Sequence, residues 1–183
     1  MGKGITPTLS PGNRKTISFL GALCLFLSVI EYLVPKPPFM RIGIANLPLV
    51  LAVDIFPFFP FLLLAGIKVF GQALVTGTLF SFVFIFSAAG TLMSAVSMFA
   101  LRRLLGSDRI SFIGISLAGA MMSNITQLAL AWVFVFRDNV RYIAPPLLFM
   151  GLVTGIALGL FCEIFARRSQ WYIAAKRTAG RSA

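Results

Sequence analysis

The sequence predicts an all-α, polytopic integral membrane protein with six transmembrane helices, and three observations carry that prediction. Of 183 residues, 58% are hydrophobic and only 11% charged, against about 25% charged in soluble domains. Phenylalanine alone occurs 19 times, more apolar surface than a water-soluble chain of this length can bury. The apolar residues also fall in runs long enough to cross a hydrocarbon core of about 30 Å.

Residues 1–16 are polar and rich in Gly, Pro and Ser, and read as a disordered cytoplasmic tail. The transmembrane domain is expected over 17–166. Its first helix runs from Ile17 to Val34, with Ser18 and Ala22 as a small-xxx-small pair on one face. Glu31 lies near its far end, and the prolines between Pro35 and Pro38 end it. The stretch from Pro37 to Pro48 then places Arg41, Gly43, Asn46 and Pro48 where a plain spanning helix would carry Leu or Val. Polar groups beside an apolar phase cost several kcal/mol unless partnered, so this stretch is a candidate site, a tight turn, or both.

A short second helix is expected over 42–56, with Pro48 capping its first turn or kinking it. Pro57 and Pro60 bracket an aromatic turn. The third helix spans 61–76 and holds Lys68 and Gln72, four apart and therefore on one face. The run from Val75 to Thr78 breaks it. A fourth helix, 82–101, is rich in Gly, Ala and Ser. The fifth, 112–136, carries Asn124 and Gln127, three apart on a shared face, with Ser123 and Thr126 beside them. The sixth, 143–166, has Pro145 and Pro146 in its first turn and Gly151, Gly155 and Gly159 spaced for helix packing. Residues 167–183 read as a basic cytoplasmic tail.

There are 16 Lys and Arg against 5 Asp and Glu. They sit at the ends and in short gaps between apolar runs, which points to membrane topology and anionic lipid headgroups rather than nucleic acid. Their bias places both termini in the cytoplasm. Arg41, Arg137 and Arg141 then fall outside, against the trend, where each anchors at headgroups or meets something anionic. For Arg41, Glu31 is a further partner to consider.

The chemistry on offer is binding. No Walker loop and no paired-aspartate cluster is present, and histidine is absent. Cys24 and Cys162 lie inside apolar runs and read as small buried side chains. The expectation is a protein that is not an enzyme and needs no metal or cofactor. The candidate substrate-binding residues are Arg41, Asn46, Lys68, Gln72, Asn124 and Gln127, with Trp132, Phe134 and Tyr142 as possible aromatic walls. A pocket so lined would take a small molecule with an anionic or polar head and an apolar or planar body.

The segment from Met40 to Pro48, Met-Arg-Ile-Gly-Ile-Ala-Asn-Leu-Pro, resembles the R-L-G-L-A-N-hydrophobic-P signature of a bacterial membrane family known as heptaprenyl diphosphate synthase component I, or Gx transporter. Softer likenesses are Phe70-Gly71, the stretches 76–80, 87–90 and 114–120, and Ser123-Asn-Ile-Thr-Gln127. The last stands where the family reads His-Asn-x-Gly-Gln, with Ser123 in place of the histidine and Thr126 in place of the glycine. The resemblance spans about 17–166. It is similar in turn to the substrate-binding S components of energy-coupling factor (ECF) transporters. That likeness implies an S-component-like bundle in a bacterial inner membrane. It also implies capture of a vitamin, cofactor or isoprenoid-related precursor, and partnership with a transmembrane coupling protein and two cytoplasmic ATPases. The small-residue face of helix 1, Ser18 and Ala22, would meet the coupling protein. The alternative is a non-catalytic membrane subunit or scaffold for prenyl diphosphate or quinone synthesis.

Overall fold

The structure is a computed structural model that describes residues 11–34, 43–106, 109–136 and 140–180. It is all-α: α1 (Pro11–Leu33), α2 (Leu47–Ala52), α3 (Phe58–Thr76), α4 (Phe82–Leu105), α5 (Phe112–Ala131), α6 (Val140–Arg168) and α7 (Gln170–Gly180). Segments over α1, α3, α4, α5 and α6 are long and apolar enough to cross a membrane. Serines set the starts of two of them. The Ser81 side chain accepts the Val83 N–H at 3.2 Å and that of Ser111 accepts the Gly114 N–H at 3.3 Å, each satisfying a donor that the first helical turn leaves without a partner.

Large apolar side chains point outward all along these helices. Phe26 is 61% exposed, Phe70 58% and Phe149 65%. Such a surface would be untenable in water and is ordinary where the surrounding solvent is lipid. The chain is a multi-pass membrane protein. With no hydrophobic drive between helices in lipid, small residues bring them together. Gly155 and Gly159 of α6 lie against the α5 backbone at Leu117 and Ile113, while Gly119 of α5 faces Met98 and Ser94 of α4. The GxxxGxxxG face of the sequence is thus the α5–α6 seam.

The second predicted span needs correction. Its helical part is a 3-10 turn, Ile44–Asn46, followed by the six residues of α2. Together they rise about 15 Å, half of a hydrocarbon core, so this is not a spanning helix. Local chemistry explains why. Gly43 sits at φ 79°, a left-handed conformation that L side chains rarely adopt, and breaks the chain before the turn. Pro48 stands in the first turn of α2, where its missing N–H costs nothing, so it starts the helix rather than kinking it. Pro57 then caps α3, and Pro60 falls in the first turn of α3 rather than in a loop. In α6, by contrast, Pro145 and Pro146 lie inside a helix that begins earlier than the sequence predicts. Residues Pro48, Leu49, Val50, Leu51 and Ala52 are all buried: α2 is apolar all round and forms part of the core.

Contacts fix the direction of each leg. Phe19 of α1 meets Trp171 of α7 at 5.1 Å, Phe58 of α3 meets Phe99 of α4 at 5.1 Å, and Phe112 of α5 meets Tyr172 at 6.2 Å. The starts of α1, α3 and α5, the ends of α4 and α6, and α7 therefore share one end of the bundle. Glu31 marks the far half, and the leg from Gly43 to Asp54 returns packed against α1, α6, α3 and α5.

Asp54 is the junction at that shared end. Arg102 grips its carboxylate with two guanidinium nitrogens and donates a third bond to the Ile110 carbonyl. Lys176 reaches it at 3.1 Å and the Tyr172 hydroxyl at 3.5 Å. The basic tail of the sequence therefore includes a helix, α7, pinned beneath the bundle. Burial pushes the Asp54 carboxyl upward, but Arg102 and Lys176 outweigh it and hold it below the ordinary 3.8. Burial and the Asp54 charge raise the Tyr172 hydroxyl. A carboxyl whose folded value is depressed contributes stability that is present above its unfolded value and lost as pH falls through the folded one. Thermal melts from pH 7 downward should show wild type losing its advantage over Asp54→Asn only below about pH 4; a constant gap down to pH 2 would contradict the pairing.

Candidate central binding cavity

Each candidate polar residue is placed by a different element. Asn46 ends the 3-10 turn and caps α2 without using its side chain to do so. Lys68 and Gln72, one helical turn apart on α3, face inward and are buried. Asn124 and Gln127 project from α5. All five line one cavity enclosed by α1 to α6, whose empty space is about 50 Å³. Arg41 lies outside the described residues. Ser18 and Ala22 are exposed on α1, away from the cavity.

The polar groups are partly satisfied among themselves. The Lys68 ammonium donates to the Thr91 hydroxyl at 3.3 Å, the Gln127 amide to the Ser123 hydroxyl at 3.0 Å, and the Asn124 amide to the Leu147 carbonyl at 3.0 Å. Glu31, 1% exposed, accepts the N–H of Gly43 at 3.0 Å and of Ala45 at 3.2 Å. It thereby ties the entry of α2 to α1 and shapes the cavity wall. The exception is Gln72. Its side-chain oxygen is buried and, among the described residues, is the one such atom without a hydrogen-bond partner. Leaving a buried acceptor unpaired costs about 1–3 kcal/mol.

Sequence reasoning missed several wall residues: Glu31, Thr91, Ser94, Ser116 and Thr154. Glu31 carried a signal, an acid inside an apolar run. The hydroxyls carried none, since Ser and Thr are common in any spanning helix. The proposed aromatic walls are corrected. Trp132, Phe134 and Tyr142 are 57%, 68% and 68% exposed, and no aromatic side chain lines the cavity among the described residues. Nor do three His, Cys, Asp or Glu side chains come together among those residues to hold a metal ion.

A family model described as heptaprenyl diphosphate synthase component I matches residues 20–165. The chain belongs to this family. The matched span runs from α1 to α6 and takes in every cavity-lining residue, while α7 lies beyond it. No curated protein and no solved structure matches the chain. Membership corrects one expectation drawn from the sequence, that of a protein outside enzyme action: the family is described as a component of a synthase.

Proposed function

We propose that this chain is the membrane component of a prenyl diphosphate synthase and contributes to it a binding site for a small molecule with a polar or anionic head. The observation that carries the binding role is the convergence of Asn46, Lys68, Gln72, Asn124 and Gln127 on one buried cavity. Family membership supports the synthase role. Ionisable and amide groups at such depth are expensive, and a ligand offsets that cost where lipid does not. In this reading Lys68 faces the ligand's anionic group, and Asn124 and Gln127 orient its polar atoms. A soluble prenyl synthase subunit docks at the cytoplasmic face of a bacterial inner membrane, on the side of both termini. Lys68→Met is expected to weaken ligand binding about 10- to 100-fold, the worth of a hydrogen bond to a charged group.

A second reading is the S component of an ECF-type uptake transporter, working with a coupling protein and two ATPases. The exposure of Ser18 and Ala22 favours it, because that small-residue face of α1 is open to a partner helix. Gentle purification followed by mass spectrometry of copurifying proteins separates the two. A soluble prenyl synthase subunit is expected, with prenyl diphosphate synthesis falling about tenfold or more when this chain is deleted. Recovery of a coupling protein and two ATPases, with synthesis unchanged, would overturn the first reading in favour of the second.

A further inference from the structure

Resting on the reading of the central cavity as a binding site, we propose that its ligand is a small, non-aromatic anion carrying at least one O–H or N–H donor, and that Gln72 selects for that donor. The cavity walls decide the class. Hydroxyl, amide and charged side chains outnumber the apolar ones, Val50, Met98, Ala120 and Leu158. A planar ring finds no aromatic partner there, and a prenyl chain would strand the amides and hydroxyls against hydrocarbon. An anion suits the Lys68 ammonium, which lines the cavity and donates to Thr91 at 3.3 Å, longer than the usual range of about 2.7–3.2 Å, while the Glu31 carboxylate on the same wall accepts the N–H groups of Gly43 and Ala45.

Gln72 adds what charge alone does not. A ligand that only accepts hydrogen bonds would satisfy Lys68 and leave the Gln72 oxygen stranded, whereas one that also donates completes it. A site built to pair with a substrate hydroxyl or amine rejects the analogue that lacks it.

Room is the remaining question. About 50 Å³ holds a water or two, whereas ligand sites usually span about 300–1,000 Å³. Four of the lining side chains, Lys68, Gln72, Met98 and Gln127, are unbranched and long. They can swing between rotamers without moving the backbone, so the cavity widens for a compact ligand and not for a large one.

The test uses the full-length protein in detergent and matched probes: 3-hydroxybutyrate with butyrate, glycerol 3-phosphate with propyl phosphate, and geranyl diphosphate and riboflavin as apolar and aromatic contrasts. Calorimetric titration should find the hydroxylated member of at least one pair binding about tenfold tighter than its partner or better. Gln72→Leu should shrink that preference to about twofold while the ligand-free melting temperature holds or rises, since it replaces an unpaired polar group with an apolar one. Equal binding within each pair, or binding of geranyl diphosphate or riboflavin alone, would overturn the proposal and leave the cavity as a site for other chemistry. A marked fall in the ligand-free melting temperature of Gln72→Leu would make Gln72 structural and also overturn it. If no probe binds, the proposal fails. A small molecule that stays on wild type through purification, yet is missing from Lys68→Met, would then show that the cavity is still a site.

Discussion

Replacing Arg102 with alanine is expected to lower the stability of the folded protein by about 3–5 kcal/mol, because it strands a buried charge. The Asp54 side chain is 5% exposed and that of Arg102 9%. Arg102 supplies two of the bonds to that carboxylate, holds the Ile110 carbonyl with its remaining nitrogen, and lies over the Phe112 ring at 5.2 Å. Lys176, about half exposed, stays behind as a partner, which places the loss toward the lower end of the range. The double substitution Asp54→Asn with Arg102→Met should cost less than Arg102→Ala alone, since it removes both charges together. Melting temperatures of the purified single and double variants check this, and a double variant clearly less stable than the single would contradict it.

Gly159→Leu is the second large effect. A Cβ built at Gly159 would fall against the Cα and N of Ile113 and the carbonyl of Phe112, all backbone atoms of the facing α5 region. Backbone cannot rotate aside as a side chain does, so the two helices must separate, at a cost of about 1–3 kcal/mol or more. The seam opened in this way adjoins the cavity, which Gly151 also lines. Gly66 provides the control: nothing lies within 4 Å of a Cβ there, and Gly66→Ala should be neutral or stabilise α3 by up to about 1 kcal/mol. Thermal melts of both variants, with wild type alongside, decide the matter. A Gly159→Leu protein as stable as Gly66→Ala would mean that α5 and α6 do not meet as described.

Much of this architecture was readable from residues alone, for identifiable reasons. Composition determined the solvent, and five apolar runs marked their helices because length and hydropathy are local properties; the polar ends were misjudged, since α1 begins at Pro11, inside the stretch read as a disordered tail, and α4 runs on to Leu105. The same locality revealed the α6 glycine face and the shared faces of Lys68 with Gln72 and of Asn124 with Gln127. It could not show which helices those faces meet. The run over 42–56 looks apolar whether it spans or folds into a short buried piece, so the length of α2 was hidden. Asp54 and Arg102 are 48 positions apart; Asp54 looked like a helix-end acid and Arg102 like a topology signal. Pairing them needs the fold. α7 was hidden for a related reason: its basic residues read as a tail, and its docking shows only in the fold, where Tyr172 is buried beneath Asp54, Lys176 pairs with that carboxylate and Trp171 meets Phe19.

The synthase and uptake readings differ in partners and agree on the cavity, which joins the residues flagged in the sequence to the family's described span. If it is a site, its polar walls have a purpose that helix packing alone does not require. Native mass spectrometry of gently purified wild type and Lys68→Met proteins tests this most directly. A small molecule should be bound in a ratio of about one per wild-type chain and lost from most of the Lys68→Met chains, in keeping with a roughly 10- to 100-fold weaker site. A ligand retained equally by both proteins would contradict a binding site at Lys68, as would wild type that carries none and takes up none from a membrane extract.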